Sequence, residues 1–290
     1  MNDTNGTVAI EVRDLTKRYR NGTLANDAID LRVPPGQALG LLGRNGAGKT
    51  TLVRQITGEL QPTAGAIRVL GVDVVREHVR ARALMGVVPQ EAAPYEELTP
   101  HEHLAFFGRL RGLGRREAAR RADALVETLG LAPHRRTLAR ELSGGLKRKL
   151  LLGVALIGDP PVLVLDEPTT GLDPHARREL WAVLRGLRGR GRTILITTHY
   201  MDEAEELCDE VAVINGGRIY AQGTVDGLRS RCRSRYKATF GEGNGRGRVV
   251  GQTADEVLAE LRRRGVEEFH LAKTSLEDVY LELTAEALEA

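Results

Sequence analysis

The sequence predicts an α/β protein in which a mostly parallel β-sheet is interrupted by a helical segment and followed by a small α+β appendix. Short apolar runs that are typical of buried strands alternate with longer stretches of helical spacing. A block near the middle has helical spacing almost throughout, and the composition changes beyond about residue 224. We therefore expect a main domain over residues 1–224, containing a helical subdomain over about residues 95–160, and an appendix over residues 225–290.

Composition limits the class of protein to which the chain belongs. It has 290 residues, of which 41% are hydrophobic and 28% charged, as in globular domains. The net charge of +3 is too small for this length to indicate a nucleic-acid partner, and none is expected.

Three features indicate where the chain works. The two cysteines lack the paired spacing of a zinc site, which favours a reducing cytosol. Residues 1–6 are polar and lack the regions of a secretory signal, so we do not expect the chain to be exported. The longest apolar stretch, residues 150–158, is too short to cross a bilayer, so work at a membrane would require a docking partner.

The first part of the chain is predicted to form a strand, a glycine loop, a helix and a strand. Residues 8–12 alternate apolar and polar side chains, and Ala38–Leu42 is an apolar run before a glycine-rich turn, so both are predicted strands. Helical spacing covers residues 51–60, and a turn then precedes a further predicted strand over residues 66–70.

A helical block follows. Thr99 begins a predicted capping box with Pro100 at the first helical position, and this helix is expected to reach about residue 112. Apolar residues three and four apart predict a second helix over residues 115–130, and a third follows Ser143. The parallel sheet is then expected to resume in three β-rich runs, over residues 162–165, 193–197 and 211–215.

The appendix is predicted from turn and capping signals. Thr253 and Glu256 form a second predicted capping box, Gly265 ends that helix, and residues 266–271 are a predicted strand. So few elements need the main domain to shelter their apolar faces.

The segment Gly43 to Thr50, GRNGAGKT, matches the phosphate-binding loop pattern between a predicted strand and a predicted helix. Its glycines allow backbone N–H groups to surround phosphates, and the helix amino terminus adds partial positive charge. Lys49 brings a full charge to the β- and γ-phosphates, and the Thr50 hydroxyl is expected to ligate Mg²⁺. The alternative, a simple glycine turn, does not account for every specified position of the pattern. The sequence therefore predicts a P-loop NTPase core that binds ATP and Mg²⁺.

Two carboxylates end the predicted strand over residues 162–165. Asp166 is placed to hold the Mg²⁺ shell of a nucleoside triphosphate. Glu167 is placed to orient or deprotonate the water that attacks the γ-phosphate. Taken alone, this pair of carboxylates could be merely a polar strand end. The presence of the phosphate loop makes that interpretation much weaker.

Ser143, Gly144 and Gly145 form a second helix start, with a capping serine and exposed backbone donors, which implies a second anion site. With the phosphate loop and the Asp-Glu-Pro strand, in this order and at these separations, this segment resembles the ABC-family ATPases over about residues 8–223. The resemblance implies an antiparallel β region beside the parallel core. It also implies two domains facing head to tail, with ATP held by the phosphate loop of one and by Ser143 and Gly145 of the other.

Four further residues take roles from this resemblance. Tyr19 is similar to the aromatic residue that stacks on adenine, and Gln90 to the glutamine that reaches toward Mg²⁺ and the attacking water. Asp173 is similar to a residue that communicates across the dimer, and His199 to the switch histidine at the γ-phosphate. Without the resemblance, Tyr19 could equally be a packing residue. Asp173 before Pro174 would indicate only a helix start, and a lone histidine such as His199 would usually be structural. Leu146 stands where many family members have glutamine, but the backbone donors remain, so activity is expected.

These arguments give three sets of site residues. The expected catalytic residues are Glu167, His199, Gln90 and Lys49, and the expected Mg²⁺ ligands are Thr50, Gln90 and Asp166. The residues expected to bind nucleotide are Tyr19, Gly43, Arg44, Asn45, Gly46, Ala47, Gly48, Lys49, Thr50, Thr51, Ser143, Gly144, Gly145 and Asp173.

The resemblance implies an ATP-hydrolysing motor on the cytoplasmic face of a membrane, pairing with a second copy and driving a separate transmembrane permease. The stretches around Asp166, around His199 and at the end of the chain resemble exporters of drugs, antibiotics, lipids or polysaccharides. Two alternatives remain at this point. One is a soluble ABC ATPase that acts on ribosomes or nucleic acid, and the other is a regulatory ABC protein whose appendix binds a ligand.

Overall fold

A computed structural model describes residues 8–189, 191–231, 234–242 and 245–289. Strands and helices are numbered along the chain. Within these ranges the strands are β1 (Ile10–Arg18), β2 (Leu24–Val33), β3 (Ala38–Leu42), β4 (Ala64–Val69), β5 (Val72–Asp73), β6 (Met85–Val88), β7 (Val162–Asp166), β8 (Thr193–Thr198), β9 (Glu210–Asn215), β10 (Arg218–Gly223), β11 (Tyr236–Glu242), β12 (Gly245–Gly251) and β13 (His270–Lys273).

Helices occupy most of the remaining described chain, with two 3-10 turns at Ala132–His134 and Ala139–Glu141. The helices are α1 (Lys49–Ile56), α2 (His78–Ala83), α3 (Pro100–Leu110), α4 (Arg115–Thr128), α5 (Gly144–Leu156), α6 (Pro174–Arg188), α7 (Met201–Leu207), α8 (Val225–Arg231), α9 (Ala254–Arg263) and α10 (Leu276–Glu289).

The central sheet has the strand order β10-β9-β3-β8-β7-β6, and all its neighbouring strands are parallel except β10. Every residue of β3 and β7 is buried, as expected when both faces of a parallel sheet are covered. The predicted parallel sheet is therefore confirmed. The carboxyl ends of β3, β7 and β8 lie side by side, which brings the segments that follow them together at one edge.

A second, antiparallel sheet has the order β2-β1-β4-β5. Its apolar residues, such as Ile10 and Leu31, share one core with Leu41 and Val164 of the central sheet and with Leu52 of α1. This sheet confirms the antiparallel region that the resemblance implied.

The helical block lies between β6 and β7. The predicted capping box at Thr99 is present, since the Glu102 N–H donates to the Thr99 hydroxyl and the Thr99 N–H donates to the Glu102 carboxylate. Leu104 of α3, Val126 of α4 and Leu150 of α5 join the core on the other face of the central sheet. The block is thus fixed to the sheet by shared apolar packing.

The last part of the chain forms a sheet of order β12-β11-β13 covered by α9. Phe240, Val249, Val257 and Leu261 make its small core. Helix α10 instead joins the main core, through residues such as Val279. Among the described residues, no helix has both the length and the apolar character needed to span a bilayer.

Two predicted bounds differ from the structure because of helix ends. Helix α1 stops at Ile56 rather than Leu60, since Gly58 adopts φ 72° and the N–H groups of Glu59 and Leu60 both donate to the Arg54 carbonyl. The predicted strand from residue 266 begins only at His270.

The cause of the later start is the end of α9. Gly265 has φ 66°, and the Val266 N–H donates to the Leu261 carbonyl at 3.0 Å, which closes that helix. Val266 is therefore part of a helix cap and is not available to the sheet.

The close packing of the helical block on β6 can be tested by a substitution at Gly86. A Cβ at this position would lie 2.2 Å from the Ala155 carbonyl oxygen of α5, so Gly86→Ala should lower the free energy of unfolding by about 1–3 kcal/mol. Gly186 is the control, since it lies exposed in α6 with no atom within 4 Å of its Cβ position. Gly186→Ala should raise the free energy of unfolding by about 0.5–1 kcal/mol. Urea unfolding measures both, and equal effects would contradict the packing described.

Candidate active site

The phosphate loop joins β3 to α1, and its backbone needs glycine. Gly46 and Gly48 have φ 81° and 104°, a left-handed range that side chains disfavour. A Cβ on Gly48 would lie 2.6 Å from the Ala25 carbonyl oxygen and 2.8 Å from Asn26 Nδ2. The loop is therefore pressed against β2, and any larger residue at Gly48 would separate them.

Lys49 is a buried cation enclosed by its own loop. Its Nζ donates to the carbonyl oxygens of Gly43 at 2.8 Å and of Arg44 at 3.2 Å. The same atom lies 3.1 Å from Glu167 Oε1, and both side chains are buried. The phosphate loop is thus tied by a buried ion pair to the residue that follows β7.

Thr197 of β8 contacts both acidic residues at the end of β7, through the Asp166 carboxylate and the Glu167 N–H. Its hydroxyl donates to Asp166 in a short hydrogen bond and accepts from the Glu167 N–H at 2.9 Å. Glu167 has φ 47°, a left-handed conformation that costs a residue with a side chain about 1–3 kcal/mol. This strain turns the Glu167 side chain toward the phosphate loop rather than along the strand.

The pKa values of the Asp166 and Glu167 carboxyl groups are shifted in opposite directions. Burial raises the pKa of Asp166, against the hydrogen bonds from Thr197 and Thr50. Burial also acts on Glu167, but the hydrogen bond and charge of Lys49, with the charge of His199, hold the pKa of Glu167 below its usual range. Glu167 is therefore ionised at neutral pH and able to accept a proton.

Gln90 and His199 approach Glu167 Oε2, which also accepts a hydrogen bond from the Thr170 hydroxyl at 3.1 Å. Gln90 Nε2 lies 3.5 Å from Glu167 Oε2, and the Thr50 hydroxyl lies 3.5 Å from Gln90 Oε1. His199 Nδ1 is 3.3 Å from Glu167 Oε2, although their alignment does not meet hydrogen-bond geometry. The structure thus brings together all four residues predicted to be catalytic.

Lys49, Gln90 and Glu167 border a cavity of about 370 Å³, whose lining does not include His199. The predicted residues that line it are Asn45, Gly46, Gly48, Lys49, Thr50, Thr51, Gln90 and Glu167. Thr23, Leu24, Ala25, Gly216 and Gly217 also line it, and the sequence argument did not include them. The paired glycines at the β9–β10 turn were the available signal for the last two. Gly43, Arg44 and Ala47 belong to the same loop as these lining residues, and Asp166 directly precedes Glu167 in the chain.

Tyr19 lies beside this cavity. Its hydroxyl is 3.4 Å from the Thr51 hydroxyl, and Lys17 Nζ lies 5.6 Å from the ring centroid. Because the ring is 36% exposed, it is not committed to packing and can stack on a base.

Ser143, Gly144, Gly145 and Asp173 do not line the cavity. Ser143 caps α5 by accepting from the Leu146 N–H, and Asp173 caps α6 by accepting from the N–H groups of His175 and Ala176. Ser143 and Gly144 are exposed. Within one chain these residues do not meet the phosphate loop.

Arg148 and Asn26 are positioning residues that the sequence argument missed. The Arg148 guanidinium donates to the carbonyls of Pro89 and Gln90 at 3.4 to 3.5 Å, which ties α5 to the Gln90 loop. Asn26 is fully buried, donates to the Gly48 carbonyl and accepts from Gln55. Arg148 lies one turn after Ser143 in a run of basic residues that reads as a solvated helix face, so nothing in the pattern distinguished it.

Comparisons with known proteins agree with this site. A family model described as ABC transporter matches residues 26–170. The daunorubicin resistance ATP-binding protein DrrA3 of Streptomyces coeruleorubidus is 49% identical over 222 residues, which cover 77% of this chain and 70% of that protein. Nod factor export ATP-binding protein I of Rhizobium etli is 40% identical over 300 residues, covering 97% of this chain and 95% of that protein.

Solved structures give the same answer for the fold. One described as the ATP binding subunit of an ABC transporter has a TM-score of 0.71 at 29% identity and covers 95% of this chain and 99% of its own. Another is cbiO1 from Clostridium perfringens, part of the ABC transporter complex cbiONQ. It has a TM-score of 0.71 at 28% identity and covers 78% of this chain and 92% of its own. The predicted P-loop ATPase fold and the resemblance to exporter-type ABC ATPases are confirmed. The chain belongs to the ABC transporter family and is an ATP-binding, ATP-hydrolysing subunit of that family.

Proposed function

We propose that this subunit drives export through a separate transmembrane permease, from the cytoplasmic face of the membrane. The names of its relatives, a daunorubicin resistance protein and a Nod factor export protein, support export. The observation that carries the ATPase mechanism is the contact of Glu167 with Lys49, Gln90 and His199 beside one cavity.

The triphosphate binds in the loop from Gly43 to Thr50, where backbone N–H groups and Lys49 neutralise its charge. Thr50, Gln90 and Asp166 would hold Mg²⁺, and they offer only the hard oxygen donors that this ion prefers. The ion supplies charge neutralisation at the phosphate oxygens. Tyr19 stacks on the base, beside Thr51.

Glu167 accepts the proton of the attacking water. Its lowered pKa keeps it ionised, and Thr170 and Thr197 hold its side chain and its N–H group in place. Gln90 orients the water from one side, and His199 bonds the γ-phosphate from the other. Lys49 exchanges the Glu167 carboxylate for phosphate oxygens when ATP enters, which leaves Glu167 free for the water.

Glu167→Gln tests this role, because the amide retains the shape but is not a useful base. We expect ATP hydrolysis to fall about 100-fold or more. Binding of ATP should be retained, since Lys49 and the loop are unchanged. Glu260→Gln, at an exposed carboxylate of α9, is the matched control and should hydrolyse ATP normally. Normal turnover in Glu167→Gln, measured as phosphate release, would exclude Glu167 as the base.

The exposed helix starts at Ser143 and Asp173 support a head-to-tail dimer of two copies. Ser143, Gly144 and Gly145 would contact ATP bound by the second subunit, and Asp173 would face the second site. Leu146 is partly buried and packs against the main core. The segment from Ser143 to Leu146 therefore offers a serine and backbone N–H groups but no side-chain amide.

Mixing two inactive variants tests the shared site. Lys49→Ala and Ser143→Arg should each abolish hydrolysis alone. In a mixed dimer one ATP site carries both changes and the other carries neither, so mixing should restore part of the activity. If ATP is bound within one chain, the mixture stays inactive, and phosphate release separates the two results.

A groove of about 530 Å³ between the central sheet and the helical block supports a docking site for the permease. Pro89, Ala92, Phe107 and Leu151 are among its lining residues. The groove lies beside an aromatic cluster formed by Tyr95, His103, Phe106 and Phe107.

His103 holds the backbone of Tyr95, the most exposed ring of this cluster. Burial lowers the pKa of His103 to about 4, so its neutral ring accepts from the Tyr95 N–H at 3.0 Å. Tyr95 is 56% exposed and stacks on Phe107. An exposed aromatic ring on a fixed backbone is a suitable anchor for a partner helix.

Tyr95→Ala should reduce the amount of a polytopic membrane protein that co-purifies with the tagged chain from mild detergent. Its ATPase activity in the absence of membrane should remain normal, because Tyr95 lies outside the ATP cavity. Phe269→Ala removes a similarly exposed ring in the appendix and should leave co-purification unchanged. Equal recovery with the wild-type chain and Tyr95→Ala would exclude this docking site.

A further inference from the structure

Glu203 of α7 is a fully buried carboxyl group that the proposed hydrolysis mechanism does not use. Its Oε1 accepts a hydrogen bond from Trp181 Nε1 of α6 at 3.0 Å. Trp181 is the only tryptophan of the chain. Because a buried carboxyl is costly unless it is bonded, this contact is a specific link between the two helices.

The surroundings of Glu203 come from the segments on either side of the site. Burial raises the pKa of Glu203, against the neighbouring Thr198, Trp181 and Thr169 and the charge of Arg177. The Thr169 hydroxyl and Glu203 Oε2 nevertheless fall short of hydrogen-bond geometry among the described residues. The carboxyl group therefore lies where the loop after Glu167, helix α6 and the end of β8 converge.

A second link joins α6 to the switch histidine. The Arg177 guanidinium lies 4.2 Å from the centroid of the Tyr200 ring, a cation–π distance. The Tyr200 ring packs on His199 with centroids 4.1 Å apart. His199 in turn lies 3.3 Å from Glu167. Helix α6 is thus connected to the His199 segment through both Glu203 and Tyr200.

We propose that α6 transmits closure at the subunit interface to His199, and that Trp181 and Glu203 are the positioning residues that make this transmission rigid. Asp173 caps the start of α6, so the first turn of this helix moves with the interface, and the second and third turns carry Arg177 and Trp181. Glu203 lies four residues after His199, on the helix that continues from its loop. The inference rests on the proposed roles of Asp173 and His199.

An exposed ion pair provides the control for this link. Arg185 of α6 and Glu206 of α7 join the same two helices, but both are solvent-exposed, so their pair contributes little. If general packing of α6 on α7 were sufficient, Glu206→Gln and Trp181→Phe would have similar effects. If the buried hydrogen bond transmits closure, only Trp181→Phe should lower the rate of ATP hydrolysis.

The experiment measures steady-state ATP hydrolysis by the full chain over a range of MgATP concentrations. Trp181→Phe keeps a smaller aromatic ring but loses the N–H donor, and Glu203→Leu loses the acceptor. Each should lower kcat about tenfold and leave KM within about twofold, because nucleotide contacts are intact. Glu203→Gln retains a carbonyl acceptor and should recover most of the turnover. Glu206→Gln should match the wild-type chain.

Tryptophan emission gives an independent readout. In the Glu167→Gln background, addition of MgATP should change the emission of Trp181, since closure moves α6. Unchanged emission, or wild-type kcat in Trp181→Phe, would overturn the inference. Should Glu203→Leu fail to fold, Trp181→Phe and the emission measurement still decide the question.

His199→Ala separates this inference from the proposed function. If His199→Ala abolishes turnover while Trp181→Phe is fully active, only the link through α6 is wrong. If His199→Ala retains normal turnover, the proposed role of His199 is wrong, and the inference fails with it.

Discussion

The rest of the site depends on the buried contact between Lys49 and Glu167. Both charges are nearly removed from water, which costs several kcal/mol for each ion unless a partner is close. Lys49 is held by two carbonyls of its own loop, and Glu167 by the Thr197 hydroxyl and a left-handed backbone. The pair therefore fixes the end of β7 relative to the phosphate loop. In the proposed cycle the anionic oxygens of ATP compete for Lys49, so nucleotide binding and release of Glu167 become one event.

The parallel sheet explains why these groups meet. Strands β3, β7 and β8 are adjacent and end at one edge, and each is followed by part of the site: the phosphate loop, Glu167 and His199. Two other segments reach this edge from different elements. The Gln90 loop follows β6 and is held by Arg148 of α5, while α6 and α7 support the His199 loop from behind. These contacts connect the exposed helix starts at Ser143 and Asp173 to the Glu167 site, as the proposed transmission requires.

The sequence was sufficient for the features that depend on local chemistry. Capping boxes at Thr99 and Thr253, the apolar run of β3 and the phosphate loop were all predicted from neighbouring residues. Strands β1 and β4 of the second sheet were predicted from their own residues, while its antiparallel pairing followed from the resemblance. Strand β2 was not predicted, although Ile29 to Val33 alternates buried apolar and exposed polar residues. The end of α1 and the start of β13 were misplaced because Gly58 and Val266 belong to helix caps, which the apolar pattern does not reveal. Asn26, Arg148 and Glu203 were missed because their partners lie far away in the sequence, and only the fold brings them together.

The most direct test of this account is a structure of the Glu167→Gln chain with MgATP. The account predicts that Lys49 leaves residue 167 and contacts the β- and γ-phosphates, and that Ser143 of a second copy completes the site. His199 should then lie at the γ-phosphate, with Gln90 beside the position of the attacking water. Nucleotide bound elsewhere, or bound while Lys49 still contacts residue 167, would contradict the exchange on which the proposed mechanism rests.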